Sequence, residues 1–205
     1  MRSIAIILAL AAVPACSNKE VSDPTVGLQP FDTVPSVWLD SITVALEREH
    51  GSRVYILPIR MPPSSAITHT KTTRYRADSL LSHLLRIKPD SIELILGVTR
   101  HDMSTTKYGV DGKVLEPASR YTDWGVFGLG YRPGRASVLS SFRLGEGHQL
   151  LIQRMQKVAV HEIGHNRGLP HCENNSCVMR SAAERLSTID AEQASMCDRC
   201  RHAVQ

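Results

Sequence analysis

No apolar run in this 205-residue sequence is long enough to cross a bilayer. The longest, residues 4–13, has ten residues, whereas a spanning helix needs about 20. Nor is there a block of one charge: 24 Lys plus Arg against 20 Asp plus Glu give +4, spread along the whole chain. A nucleic-acid-binding stripe is therefore not implied. Internal repeats and low-complexity segments are also missing, which excludes collagen and coiled-coil arrays. What is present, 42% hydrophobic and 21% charged residues, is the make-up of an ordinary globular chain rather than a disordered one, and the length suits one domain.

The ten-residue run has a specific setting. It follows Arg2 and leads to Pro14, Ala15 and Cys16, giving the charged start, short apolar middle and small-residue cleavage region of a secretory signal. Val13-Pro14-Ala15-Cys16 also resembles a bacterial lipobox, in which the cysteine is lipidated and becomes the new N-terminus. The expectation is a lipoprotein-type signal over residues 1–15, a polar tether over 16–34 and a single folded domain over 35–205. Such a chain is exported, either periplasmic or held on the membrane by a lipid on Cys16.

Periodicity sets out the elements. Residues 35–50 carry apolar positions at helical spacing and Gly51 stands where the helix would stop. Residues 53–61 and 92–99 read as strands, the first interrupted by Pro58. Between them, residues 75–87 read as a crossover helix with Leu80, Leu81, Leu84 and Ile87 on one stripe. Residues 124–131 and 136–143 flank the turn Arg132-Pro133-Gly134-Arg135 and predict an antiparallel hairpin. Residues 147–167 and 187–203 predict two further helices. The fold class is α/β (α+β): a mixed, mostly parallel twisted sheet with an antiparallel edge hairpin, a long helix and a C-terminal helix.

The chemistry is concentrated in residues 161–171. His161 and His165 are four apart, so on a helix both imidazoles lie on one side and can reach one metal. Gly168 can end that helix in a left-handed turn, letting His171 swing back as a third ligand. Three imidazoles leave one tetrahedral position open, the mark of a catalytic zinc, where bound water has its pKa drawn down to about 7. Glu162 falls within the apolar stripe of Leu151, Met155 and Val158, a costly place for a carboxylate without a partner. Zinc-bound water would be that partner: Glu162 can take its proton and later pass it to a departing amine. The remaining histidines, His50, His69, His83, His101, His148 and His202, stand in no ligand spacing and read as core or surface.

Beyond Cys16, four cysteines remain: Cys172, Cys177, Cys197 and Cys200. Four thiolates suffice for a structural zinc, and export makes two disulfides the alternative. Cys197 and Cys200, three apart in a predicted helix, would make an awkward bridge partner set, which favours zinc. From Cys172 onward there are four Arg and no Lys against five acidic residues, so a nucleic-acid-binding zinc ribbon is disfavoured.

Together these residues meet the extended zinc motif of the metzincins. The continuation, Cys172, Cys177, Met179, seventeen residues, Cys197 and Cys200, resembles the archaemetzincin family. The resemblance covers residues 161–200 and implies a metzincin-like catalytic domain acting as a zinc metallopeptidase on peptide or protein substrates. It also implies catalytic zinc on His161, His165 and His171, Glu162 as base, Met179 as the Met-turn residue beneath the metal, and a second, structural zinc on the four cysteines. The predicted hairpin would be the edge against which a peptide lies. Phe127, Leu129, Tyr131 or Ser140 could line the cleft, though sheet packing accounts for them equally well. The competing readings are a zinc-holding module without catalysis and a purely structural zinc protein. Archaemetzincins are usually regarded as lacking an export signal, so the N-terminus departs from the family and leaves the oxidation state of the four cysteines open.

Overall fold

The computed structural model describes residues 23–181 and 185–204. The predicted signal, the lipobox and Cys16 lie outside the described residues. In chain order the elements are β1 (Thr25–Pro30), α1 (Ser36–His50), β2 (Arg53–Ile56), β3 (Ile67–Thr68), β4 (Arg74–Arg76), α2 (Ala77–Ile87), β5 (Leu94–Thr99), β6 (Met103–Thr105), α3 (Ala118–Tyr121), β7 (Trp124–Gly125), β8 (Gly128–Gly130), β9 (Ala136–Ser140), α4 (His148–Asn166), α5 (Leu186–Ala191) and α6 (Asp198–His202).

The main sheet runs β2-β1-β5-β9-β8. Its first three pairings are parallel and β8 closes the edge antiparallel to β9. Every residue of β5 is buried, the pattern of a strand covered on both faces. Leu94, Leu96 and Val98 of β5 join the core under α1 and α4. Ile95 joins the opposite core with Leu80, Leu81 and Leu84 of α2. Helix α1 ends at Gly51 in the left-handed region, φ 61°, as the sequence predicts. The mixed, mostly parallel sheet with an antiparallel edge is thus the architecture observed, and among the described residues no helix is long and apolar enough to cross a membrane.

Five expectations are corrected. The segment read as tether, residues 16–34, contains β1, whose last five residues are buried, so the folded domain begins by Thr25 rather than at residue 35. Prolines and Gln29 disguise this strand; the Gln29 amide is satisfied by donating to Pro58 O (2.8 Å) and Pro30 O (3.1 Å). The strand expected over residues 53–61 ends at Ile56, short of Pro58, and the start of the expected 75–87 helix is β4, which leaves α2 to begin at Ala77. The first arm of the hairpin is divided. Its β7 part pairs with β6 in a second sheet, β3-β4-β6-β7, and only β8 pairs with β9. Finally, the helix expected over residues 187–203 is two short helices, α5 and α6. The chain between them is drawn away by Gln193 N–H donating to Ser176 O (2.9 Å) and Val178 N–H donating to Ser195 O (3.0 Å).

Candidate active site

Helix α4 sets the site, and its C-terminal end is fixed to the hairpin turn. At its C-terminus Asn166, 4% exposed, donates from Nδ2 to Tyr131 O and Ala136 O, both at 2.9 Å. Gly134 N–H in the hairpin turn donates to Asn166 O at 3.0 Å. The turn beyond β8 is therefore fixed to the helix that carries the histidines. Gly168, φ 96°, then reverses the chain in a region closed to most side chains, and Leu169 N–H caps Gly164 O at 3.0 Å.

That reversal brings three imidazoles together. His161, His165 and His171 each offer a ring nitrogen within 4.8 Å of the others. A carbonyl can only accept, so His161 Nδ1–H donates to Val178 O (2.8 Å) and His165 Nδ1–H donates to Leu169 O (2.7 Å). Each bond fixes the tautomer and leaves Nε2 with its lone pair for a metal. Burial, reinforced by His165 and His171, pushes the pKa of His161 down to about 3, and burial also lowers that of His165. Neutral imidazoles are the ligand form. Two nitrogens on a tetrahedral zinc stand about 3.4 Å apart, so this donor set fits the ion.

Glu162 is 7% exposed, and among the described residues its carboxylate has no hydrogen-bond or ion-pair partner. Burial alone pushes its pKa up to about 8, the signature of a carboxyl kept from water without compensation. Strand β8 passes over it. A β-carbon on Gly128 would stand 2.5 Å from Glu162 Oε1, and one on Gly130 3.1 Å from Oε2. Gly128, Gly130 and Asn166 are functional positions that the sequence reading missed; a Gly-x-Gly within a strand pattern was the available signal, since it marks close approach of another group. Glu162 and the three histidines line one cavity of about 500 Å³ together with Phe127 and Leu129, but Tyr131 and Ser140 are not on its walls.

Met179 is fully buried and its sulfur packs on Gly164, where a β-carbon would come within 2.4 Å of it. Immediately beside it, Cys172 N–H donates to Met179 O at 2.8 Å. The thiols of Cys172, Cys177, Cys197 and Cys200 all lie within 4.8 Å of one another, and all four are free. Cys172 Sγ and Cys197 Sγ are 3.8 Å apart, the edge of a tetrahedron with metal–sulfur bonds of about 2.3 Å and far from the ~2.05 Å of a disulfide. Cys197 caps α6 and Cys200 sits in its first turn. Burial works to raise the Cys172 pKa, but the Asn174 backbone and the Arg199 guanidinium, 3.3 Å from its sulfur, hold it at about 7. Burial raises Cys177 and Cys200. A shared cation would relieve both.

The comparisons agree with this geometry. Residues 38–205 match Peptidase family M54. The archaemetzincin of Archaeoglobus fulgidus is 30% identical over 87% of this chain and 97% of its own, and that of Haloquadratum walsbyi is 27% identical over 87% and 98%. Among solved structures, the Methanopyrus kandleri archaemetzincin superposes with a TM-score of 0.74 at 27% identity, over 91% of this chain and 96% of that one. The A. fulgidus protein, solved with malonate, gives 0.68 at 29% identity over 87% and 99%. With the family match spanning most of its length and the three-histidine cluster and the buried Glu162 carboxylate in place, this chain belongs to peptidase family M54, the archaemetzincin group of zinc metallopeptidases.

Proposed function

We propose that His161, His165 and His171 hold the catalytic zinc, that Glu162 is the general base, and that a peptide lies along the free edge of β8 for hydrolysis. The observation that carries this is the position of Glu162: a buried carboxyl without a described partner, in the same cavity as three converging imidazoles. When bound, the zinc supplies Lewis acidity to the scissile carbonyl and to the attacking water. Glu162 takes a proton from that water and returns it to the departing amine, and its raised pKa suits both transfers. The backbone of Gly128–Gly130 aligns the substrate by strand addition, since β8 is the outermost strand on its side of the sheet. Met179 gives the site an apolar floor. Replacing Glu162 by Ala should abolish peptide cleavage while zinc content is retained. Unchanged turnover would remove the base, and retained zinc with no cleavage of any peptide by the parent chain would favour a zinc-holding module.

A second, structural zinc on Cys172, Cys177, Cys197 and Cys200 accounts for four free thiols gathered beside the site. Two zinc ions per chain, with four thiols alkylated only after chelation, is the expected stoichiometry. One zinc and two disulfides would discard this site and keep the enzyme. Export and lipid attachment at Cys16 follow from Arg2, the apolar run 4–13 and the sequence Val13-Pro14-Ala15-Cys16. Replacing Cys16 by Ala should shift the chain from the membrane fraction to the soluble one.

A further inference from the structure

The cavity beside the imidazoles extends past Val158, one helical turn before His161, to a wall made by the end of α5. That wall carries a second buried carboxylate. Glu192 is 6% exposed and lines the cavity with Val158, Ile189 and Ser181. Its Oε2 is buried without a hydrogen-bond partner, and it enters no ion pair among the described residues. Burial raises its pKa to about 8 even with Lys157 and Arg180 near enough to oppose the shift.

Glu192 is held there rather than left there. Lys157 Nζ donates to Ile189 O (2.6 Å) and Glu192 O (2.7 Å), so this cation is engaged with the main chain and not with the carboxylate. Arg154 grips Asp190 through Nε and Nη2 at 2.7 and 2.6 Å, fixing α5 to α4. Lys107 and Arg132 also line the cavity, from the chain just beyond β6 and just beyond β8.

Resting on the peptidase reading above, the geometry points to Glu192 as a specificity-determining residue: the recess bounded by Val158, Ile189 and Glu192 receives a lysine or arginine side chain of the substrate. Its lining serves both parts of such a side chain, with apolar Val158 and Ile189 for the methylene stem and the Glu192 carboxyl for the cation. A leucine-sized side chain would leave Glu192 Oε2 unpaired in a dry wall, and an acidic one would set like charges together. A charge-assisted contact of this kind is worth on the order of 10- to 100-fold in selectivity.

The test uses the zinc-loaded full chain and a peptide library randomised around one fixed core. Cleavage products should show Lys and Arg enriched at one position next to the scissile bond. On a peptide so chosen, kcat/KM for Lys over norleucine should be about 10-fold or more, and Glu192→Gln, which keeps the shape, should bring that ratio to within about 3-fold of one. A second arm needs no turnover: the same library is passed over immobilised, zinc-loaded Glu162→Gln chain, and over the double variant with Glu192→Gln. Retention should favour Lys and Arg on the first and lose that preference on the second. A chain that cleaves nothing yet retains basic peptides through Glu192 sinks the peptidase reading and keeps the recess. No basic preference in either arm, or a preference that survives Glu192→Gln, overturns the assignment.

Discussion

Gly128 of β8 lies directly against the Glu162 carboxylate of α4, with room for no side chain between them: a β-carbon on Gly128 would stand 2.5 Å from Oε1 and 2.9 Å from Cδ. The edge strand and the proposed base therefore share one tightly fixed geometry. Gly128→Ala must push either the carboxylate or the strand aside, and a displacement near 1 Å at a reacting centre costs about 100-fold. The expected result is a fall of that order in kcat/KM with zinc content unchanged. Gly130→Ala, where the nearest contact would be 3.1 Å, should fall less. Equal activity of Gly128→Ala and the parent chain would show that Glu162 is not positioned by this contact.

Gly164 and Met179 make the corresponding contact on the other side of α4. A β-carbon at Gly164 would meet Met179 Sδ at 2.4 Å and Cε at 2.9 Å, and Met179 is fully buried. Methionine is flexible but has no open space to enter, so Gly164→Ala should destabilise the fold by about 1–3 kcal/mol despite the gain in helix propensity. Because Val178 O, next to Met179, orients His161, zinc affinity should weaken as well. Chemical denaturation and competition with a chelator measure the two effects, and a more stable Gly164→Ala chain would mean the Met179 loop yields freely.

The site was readable where its geometry is local. His161, Glu162, His165, Gly168 and His171 sit within one helix and the turn that ends it, so the 3.6-residue period and one left-handed glycine place them without any tertiary knowledge. The cysteine spacing was readable too, but its setting was not. The sequence from Leu186 onward contains neither Gly nor Pro and reads as a continuous helix, whereas contacts to Ser176 and Val178 break it so that Cys197 and Cys200 meet Cys172 and Cys177. Strand β1 was hidden for a related reason. Gln29 looks solvent-facing until the Pro58 carbonyl is there to receive its amide. Strands of two or three residues such as β3, β6 and β7 are too short to show alternation at all.

Arg154 and Asp190 place the α5 wall of the cavity. Arg154 is 8% exposed and adds to its two bonds with Asp190 a third from Nη1 to Leu144 O at 2.6 Å. Arg154→Met keeps the stem and removes every donor, leaving a buried carbonyl and a carboxylate unserved. Asp190 is more than a third exposed, which discounts the ion pair itself, so the expected loss is about 2–3 kcal/mol. Asp190→Asn, which leaves the Leu144 contact intact, should cost about 1 kcal/mol. Denaturant titration of both single variants and the double checks this. Additive losses would mean the two side chains do not act as a pair.

His50, at the end of α1, is 5% exposed and donates from Nε2 to Val160 O of α4 at 2.9 Å. Its Nδ1 is buried without a partner, so a second proton would put an uncompensated charge between the helices. Burial, with lesser help from Arg167 and Arg201, lowers its pKa from 6.5 to about 4. The unfolded chain therefore takes up the proton first as pH falls. Stability from this group is fully present above about 6.5, declines as pH drops, and is gone below about 4. The loss should be about 2 kcal/mol between pH 7.5 and 5 and about 3 kcal/mol by pH 4. Denaturant titration of the parent chain and of His50→Gln, which keeps a donor for Val160 O, isolates this share because all other groups titrate in both. A His50→Gln chain that loses as much stability as the parent on acidification would show that His50 is not the group responsible.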